Sequence, residues 1–322
     1  MFESTVDFEC VDGRGVNPGS LYVNPAECYK LDSDPKGVCL IINIDEFQSS
    51  TSTDNDVPQN LDPRTGSEAD VRQLVGVFEW LKFKVEVHRN VTKSEFLHII
   101  NEIRQLDHTA FDAFVCCIMS HGCLGHIYTA DSERVRILED VAHAFYPESC
   151  PTLAGKPKMF FIQACQVSGV CGSATRQGIT DDGEFSASET DTYESDAEKF
   201  TADGKRSSLL PDAPDFIMSY STLPGSPSFR DRKKGTFYVQ ALTEVLKKDI
   251  ELQSSLDKVA QLVEKKVADS PVKEQQRSFC YATQHKYVFL CGKLFAVMLR
   301  MSTYSCILVE LHFTAIIHCF SV

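Results

Sequence analysis

The sequence is short of positive charge. Its 32 lysines and arginines are outnumbered by 45 aspartates and glutamates, so the formal net charge is −13. Phosphate backbones and anionic lipid surfaces repel such a chain, which argues against nucleic acid or a membrane as its main partner. The apolar stretch 306–320 is shorter than the roughly 20 residues that a membrane helix needs, and it contains Glu310, His312 and His318.

Metal-binding and disulfide patterns are also missing. No pair of the thirteen cysteines has the C-x-x-C spacing of a structural zinc site, and an odd number without regular spacing makes a poor disulfide framework. The first residues have neither a basic start nor an apolar core, so we expect no secretory signal. These absences predict a cytoplasmic protein with reduced thiols and with no metal or organic cofactor.

Short apolar runs alternate with amphipathic stretches along most of the chain. We expect helices from Ser67, with Asp70 as a capping partner, and from Thr92, with Glu95 completing a capping box. Two more are expected near 235–248 and 252–268. Strands are predicted at 37–44, 83–87, 113–119, 158–164, 215–221 and about 284–290. This alternation predicts an α/β fold with a mostly parallel sheet flanked by helices.

One stretch breaks this pattern. Residues 181–203 contain nine acidic residues, one lysine and almost no apolar side chain, which is typical of a linker without a packed core. We therefore divide the chain into a short N-terminal segment (1–36), two globular parts (37–181 and 204–295), an acidic linker (182–203) and a tail (296–322). The tail is either an extra amphipathic segment or a read-through of the coding sequence.

Two predicted strands end in residues that can do chemistry together. One leads into Ser120-His121-Gly122 and the other into Gln163-Ala164-Cys165. A thiolate nucleophile needs a base to take its proton, and His121 could serve Cys165 in that role. The backbone N–H groups of Gly122 and Cys165 could then stabilise the oxyanion of a substrate carbonyl.

These two motifs and the sequence around them resemble the caspases, and most closely the initiator group of caspase eight and caspase ten. The run Gln163-Ala164-Cys165-Gln166, with a Ser-His-Gly upstream, is similar to the caspase active site. Further similar stretches are 37–44 (GVCLIINI), 114–122 (FVCCIMSHG) and 235–242 (GTFYVQAL). The resemblance implies the caspase-like fold, a six-stranded sheet with a large and a small subunit cut from one chain.

The resemblance also implies specificity for aspartate. Its carboxylate would bind Arg64, Arg230 and Gln163, because bidentate guanidinium groups pair a buried carboxylate well. Phe229, Tyr220 and Phe237 would form an aromatic lining, and the backbone of Arg230 would pair with the substrate as an added strand. The expected partners are proteins with an aspartate before the scissile bond.

Activation would follow from cutting the acidic linker, in apoptotic or related signalling. Our first choices are Asp191 and Asp196, with Asp203 and Asp182 as further sites, and Asp12 could release an N-terminal peptide. The two parts would stay together, and two such units would form a homodimer. Only about 36 residues precede the catalytic part, so no death-fold prodomain is expected and recruitment by an adaptor is not supported.

Three alternatives stay open at this stage. The first is a catalytically impaired caspase homologue that acts as a scaffold or dimerisation partner, supported by Val167, which stands where the family has glycine, and by the unusual loop 231–234. The second is a peptidase of the same fold that cuts after arginine, lysine or asparagine, although its pocket would not be basic. The third is a non-enzymatic α/β binding module, which predicts an unreactive Cys165.

Overall fold

A six-stranded sheet forms the centre of the molecule. The computed structural model describes residues 25–50, 60–167, 211–248, 251–272 and 275–290. The strands are, in chain order, β1 (Gly37–Asn43), β2 (Lys84–Arg89), β3 (Ala113–Met119), β7 (Lys158–Gln163), β8 (Phe216–Tyr220) and β11 (Phe279–Ala282). Their spatial order is β11-β8-β7-β3-β1-β2. Only the β8–β11 pair within this sheet is antiparallel, so the predicted α/β class with a mostly parallel sheet is confirmed.

The order of the strands places a crevice above the middle of the sheet. From β1 the chain moves outward to β2 and then crosses back to β3 on the other side of β1. At such a reversal the connections leave in opposite directions, and ligands of open α/β sheets bind beyond the carboxyl ends of the strands there. The neighbouring strands β3 and β7 lead directly into the predicted catalytic residues.

Both faces of the sheet are covered by helices. The central strands are buried along their whole length, and their side chains point alternately into two separate hydrophobic cores. The helices are α1 (Glu68–Trp80), α2 (Lys93–Gln105), α3 (Phe237–Leu246) and α4 (Leu252–Ala268). Helices α1, α3 and α4 pack on one face, while α2 and the helical turns Ile137–Val141, Ala142–Phe145 and Pro151–Leu153 lie on the other.

Two small sheets stand at the edge where the central strands end. One consists of β4 (Gly122–Cys123), β5 (His126–Tyr128) and β6 (Arg134–Arg136), in that order. The other is the antiparallel pair of β9 (Arg230–Asp231) and β10 (Gly235–Thr236). They place the residues that follow His121 and the residues around Arg230 on the same side of the molecule.

The two predicted helix starts have different outcomes. The capping box at α2 is confirmed, because the Thr92 side chain accepts from the Glu95 N–H and the Glu95 carboxylate accepts from the Thr92 N–H. At α1 the predicted start is confirmed, since Ser67 is the N-cap residue, but the predicted capping with Asp70 is wrong, because the Ser67 side chain makes no capping bond. Instead, the Ser67 hydroxyl accepts from the Asn43 amide and donates to the Asp45 carboxylate.

The last predicted strand is also misplaced. Residues 284–290 form only isolated bridges, Tyr287 with Cys28 and Phe289 with Glu251. The sixth strand of the sheet is β11, which pairs with β8 from Phe279 to Ala282. Val288 and Leu290 are nevertheless buried in the core, so the apolar pattern there reports burial rather than strand pairing.

Several predictions concern residues outside the described part of the chain. These are the acidic linker, its cleavage sites Asp182, Asp191, Asp196 and Asp203, the N-terminal Asp12 and the tail 296–322. Within the described residues, no helix combines the length and the apolar character that crossing a membrane would require.

Candidate active site

The ends of β3 and β7 bring the predicted catalytic segments together. Met119 lies opposite Gln163 in the parallel pair, and the Ser120 N–H donates to the Gln163 carbonyl at 3.1 Å. His121 and Gly122 follow one strand, and Cys165 follows the other. A Cβ atom on Gly122 would lie 2.6 Å from the His126 carbonyl oxygen and 3.1 Å from that of Cys165, so only glycine fits this approach.

His121 is oriented by the backbone of a distant segment. Its Nε2 lies 2.8 Å from the Asp62 carbonyl oxygen. A carbonyl only accepts, so Nε2 carries the proton and Nδ1 is left to take one. Burial and the positive charges of Arg64 and Arg230 lower the pKa of His121 to about 3, despite the opposing hydrogen bond to Asp62. His121 is therefore neutral at pH 7, which is the form that a general base requires.

Cys165 lies against the loop that leads into β9. Its Sγ accepts a hydrogen bond from the Ser228 N–H at 3.4 Å, and the thiol lies 3.9 Å from the Ser228 carbonyl oxygen. The residue is 8% exposed and belongs to a small cluster with Leu61, Cys123 and Tyr128. Val167 packs on the same cluster and accepts a hydrogen bond from the Leu124 N–H, so the turn after the nucleophile accommodates this side chain.

Arg64 is one of the largest fully buried side chains. Its Nη1 donates to the Asn43 side-chain oxygen at 3.1 Å and to the Ile44 carbonyl at 2.8 Å. Its Nη2 is buried with no hydrogen-bond partner in the described residues. Burial and the nearby charge of Arg230 lower the pKa of Arg64. One edge of this guanidinium is thus fixed, and the other has a donor available for a ligand.

Arg230 reaches the same region from the other half of the chain. Its Nε donates to the Thr65 carbonyl at 2.9 Å, one residue beyond Arg64. Burial lowers the pKa of Arg230, and the charges of Asp70 and Cys165 oppose that shift. Ser228, two residues before Arg230, donates its N–H to the Cys165 sulfur, and Thr65 follows Arg64, so both arginines lie on segments next to the thiol. Two positive charges, one fully buried and one half-buried, favour an incoming anion.

Asp70 holds the elements that carry these arginines. Its Oδ1 accepts from the Thr236 N–H at 2.8 Å and from the Thr236 hydroxyl at 3.1 Å, while its Oδ2 is buried without a hydrogen-bond partner in the described residues. Gly235, with φ +89°, fits here because a Cβ atom would lie 2.3 Å from the Asp70 carboxylate. Burial raises the pKa of Asp70 to about 6, although Thr236 and the arginines pull it down.

Two glutamines connect the catalytic strand to the loop before β9. The Gln163 Nε2 donates to the Ser228 hydroxyl at 2.8 Å, and its Oε1 is buried with no partner in the structure described. Gln276 donates to the Ser221 carbonyl and to the Ser228 hydroxyl, and it accepts from the Phe229 N–H at 2.9 Å. Gln163 therefore faces Ser228 here, and Gln276 fixes the loop behind it.

The three aromatic residues predicted to line the pocket do not share one place. Phe229 and Phe237 are buried on the face of the sheet that α1, α3 and α4 cover. Tyr220 belongs to the core of the opposite face, is fully buried, and stacks on Phe279 with ring centroids 5.0 Å apart. Its assignment to a pocket is wrong, because strand alternation turns the last residue of β8 into that core.

The site also depends on residues that sequence reasoning did not find. These are Asp62, which acts through its carbonyl, Asp70, which the sequence suggested only as a helix cap, and Gln276. A backbone carbonyl leaves no signal in side-chain patterns, and the partners of Asp70 and Gln276 are distant in sequence. No group of three or more potential metal ligands occurs within the described residues.

One known protein family and several known proteins are similar to this chain. The family model described as "Caspase domain" matches residues 36–289. The chain is 34% identical to caspase-1 of Drosophila melanogaster over 258 residues, which cover 77% of this chain and 71% of that protein. It is 35% identical to caspase-9 of Homo sapiens over 263 residues, 76% of this chain and 60% of that protein.

The similarity to longer relatives covers only part of them. Caspase-8 of Mus musculus is 33% identical over 219 residues, which are 68% of this chain and 43% of that protein. For caspase-10 of Homo sapiens the identity is 33% over 224 residues, 69% of this chain and 38% of that protein. The chain thus spans less than half the length of these two relatives.

Replacing Asp70 by asparagine tests the buried carboxylate. The folded pKa of about 6 lies above the ordinary value of 3.8, so protonation stabilises the fold. This contribution is complete below about pH 4 and is lost as the pH rises through about 6. From pH 4 to 7 we expect the wild type to lose up to about 3 kcal/mol relative to Asp70→Asn.

Chemical denaturation of both proteins at several pH values measures this difference. Asp269→Asn, which changes an exposed carboxylate at the end of α4, should give a curve parallel to that of the wild type. A difference between wild type and Asp70→Asn that stays constant from pH 4 to 7 would contradict the assignment.

Proposed function

The chain belongs to the caspase family, and on that premise we propose that it is a cysteine endopeptidase that hydrolyses peptide bonds after aspartate. The observation that carries the proposal is that the fully buried Arg64 and the half-buried Arg230 lie on segments next to the thiol. Arg64 and Arg230 bring two positive charges into this site, and Asp70, Asp45 and Cys165 act electrostatically on both of them. A substrate carboxylate would supply the hydrogen-bond partner that the buried Arg64 Nη2 lacks in the described residues.

In this mechanism Cys165 attacks the scissile carbonyl. The thiol passes its proton to Nδ1 of His121, the sulfur–carbon bond forms, and the carbonyl electron pair moves onto oxygen. The backbone N–H groups of Gly122 and Cys165 would stabilise that oxyanion. His121 then protonates the leaving amine, the carbon–nitrogen bond breaks, and water hydrolyses the acyl-enzyme by the same route.

Substrate binding would also tune the base. In the free site, the charges of Arg64 and Arg230 contribute to the lowered pKa of His121. A bound aspartate neutralises part of this positive charge, so the pKa of His121 would rise toward its ordinary range. The imidazole would therefore become a stronger base only when the correct side chain occupies the pocket, which links specificity to catalysis.

The strand β9 offers a way to hold the substrate backbone. Thr236 of β10 pairs with Arg230 on one side of it, and no second strand pairs with β9 in the described parts of the chain. An extended peptide could add to the open edge as an antiparallel strand. Its aspartate side chain would then turn toward the arginine pocket, and its carbonyl carbon would face Cys165.

We further propose how the chain is organised and switched on. Residues 37–181 and 204–295 are the large and small catalytic parts, joined by the linker 182–203, after a short segment 1–36 and before a tail 296–322. The enzyme is a cytoplasmic zymogen that cuts protein substrates in apoptotic or related signalling. Two units form a homodimer through β11, an edge strand that pairs only with β8 in the described residues.

The main alternative is a catalytically impaired homologue that acts as a scaffold. In the sequence this alternative is supported by Val167, which replaces the glycine of the family, and by the unusual loop 231–234. Val167 packs on the cluster around Cys165, and the Asp231 carboxylate accepts from the Lys233 and Lys234 N–H groups. Both departures thus fit an ordered site, which favours the enzyme.

Removal of either catalytic side chain tests the proposed nucleophile and base. We expect Cys165→Ala and His121→Ala to lower turnover of an aspartyl peptide by about 10³-fold or more, because members of a catalytic unit fail together. Initial rates with a fluorogenic tetrapeptide measure this loss. Cys28→Ser and His98→Ala, changes away from the site, should stay close to the wild type, and substantial turnover by Cys165→Ala would refute the assignment.

The pocket is tested by changing the charge of the substrate and of the enzyme. A peptide with asparagine in place of aspartate should react ~10³-fold more slowly, since the arginines then stay buried and unpaired. Arg230→Ala should abolish cleavage of both peptides, whereas Arg277→Ala, which removes an exposed ion pair, should not. Equal rates on aspartyl and asparaginyl peptides would rule out this pocket.

Activation by cleavage is tested with the intact protein. Because an acidic linker without a packed core is open to proteases, active enzyme should appear as fragments of roughly 20 and 12 to 14 kDa. The Cys165→Ala protein should stay whole when it is purified in the same way, and mass spectrometry identifies the cut sites. Full activity of an intact chain in which Asp191, Asp196 and Asp203 are all alanine would show that the linker cut is not the switch.

A further inference from the structure

A second cysteine–histidine pair lies next to the active site. Cys123 is the last residue of β4, two positions after His121, and it lies directly opposite His126 in the antiparallel pair β4–β5. Directly opposed residues of an antiparallel pair have neighbouring side chains on one face, so the thiol of Cys123 and the imidazole of His126 lie side by side. The Tyr128 hydroxyl also donates to the Cys123 sulfur, at 3.6 Å.

His126 is oriented in the same manner as the catalytic histidine. Its Nδ1 lies 2.8 Å from the Leu124 carbonyl oxygen. Because the carbonyl can only accept, Nδ1 carries the proton of the neutral ring. Nε2 is then the nitrogen that can take the proton of the Cys123 thiol, and the result is a thiolate beside an imidazolium.

The surroundings favour this charged form. Burial raises the pKa of Cys123, but the hydrogen bonds from His126 and Tyr128 and the charge of Arg134 outweigh it, so the pKa is lowered. The pKa of His126 is raised, first of all by Cys123. Burial instead raises the pKa of four other cysteines, which are Cys28, Cys39, Cys116 and Cys280.

Cys123 is as accessible as the proposed nucleophile and contacts the same cluster. It is 7% exposed, and Cys165 is 8% exposed. Its neighbours Gly122 and Leu124 both touch the segment of the nucleophile, since Gly122 approaches the Cys165 carbonyl and the Leu124 N–H donates to the Val167 carbonyl at 3.0 Å. A change at the Cys123 sulfur therefore bears directly on the backbone beside Cys165.

We propose that Cys123 is a second reactive thiol, a modification site at which a peroxide reversibly switches off the adjacent active site. The thiolate sulfur attacks one peroxide oxygen, the O–O bond breaks, and the other oxygen leaves as hydroxide. Sulfur is oxidised to sulfenic acid, and the peroxide is reduced. Two equivalents of a thiol reverse the step, the first forming a mixed disulfide with loss of water and the second releasing the Cys123 thiol.

The added oxygen would act through packing. Cys123 is 7% exposed and packs in one cluster with Leu61, Tyr128 and Cys165. Room for another atom requires β4 to shift, and β4 also carries Gly122. Because Gly122 fits closely against the carbonyls of His126 and Cys165, a shift there disturbs the proposed oxyanion site.

Thiol labelling tests the reactivity of Cys123 without any assay of proteolysis. The Cys165→Ala protein is treated with iodoacetamide from pH 5 to 9, and the labelled peptides are quantified by mass spectrometry. We expect Cys123 to react with a midpoint below the 8.5 of a free cysteine, and Cys28 to serve as the slow control. His126→Gln should slow labelling of Cys123 at pH 7 by about tenfold or more. Labelling of Cys123 no faster than that of Cys28, or unchanged in His126→Gln, would overturn the proposal.

The effect on the active site rests on the proposed function and is measured separately. The wild-type enzyme is treated with hydrogen peroxide while a reversible aspartyl aldehyde covers Cys165, and activity is read after its removal. The wild type should lose at least about fivefold in rate and recover with dithiothreitol, while Cys123→Ser should keep its rate. Equal losses in both proteins, or no loss in the wild type, would refute the switch. A protein that cuts no peptide would refute the proposed function, while the labelling result on Cys123 would stand.

Discussion

The site depends on holding two positive charges, the fully buried Arg64 and the half-buried Arg230, in one region. Arg64 and Arg230 come from distant parts of the chain, and each disfavours the charge of the other. The negative charge of Asp70 offsets this repulsion. Its hydrogen bonds with Thr236 also hold the β9–β10 hairpin, which carries Arg230, against the start of α1. The arrangement also acts on His121, because both arginines add to the effect of burial in lowering its pKa.

The parts of the fold that were predictable are those that local interactions determine. Thr92 and Glu95 bond to each other within one helical turn. Buried central strands are recognisable in the sequence as apolar runs. The failures have non-local causes. Asp70 bonds to a residue 166 positions away, and β11 is a half-buried edge strand, whereas Val288 and Leu290 look like a strand because they are buried.

The candidate site divides in the same way. It could be deduced that the strand ends before His121 and Cys165 meet, because parallel strands bring their carboxyl ends together. The roles of the two arginines were deduced from the family resemblance. The orienting groups could not be deduced, since they are backbone carbonyls of Asp62 and Leu124. Any residue can provide such a carbonyl, so only the folded path of the chain shows which histidine nitrogen carries a proton.

The parallel pairing of β7 with β8 has a consequence for the lifetime of the protein. These strands are neighbours in the middle of the sheet, although the chain between Gln163 and Phe216 contains the acidic linker. In an intact chain that linker keeps both strands near each other during folding, at a modest entropic cost. Once it is cut, the native state can persist, but refolding becomes a meeting of two separate molecules. The lifetime of a cleaved enzyme would thus be set by its unfolding rate, because two diluted fragments do not reassemble once they have unfolded.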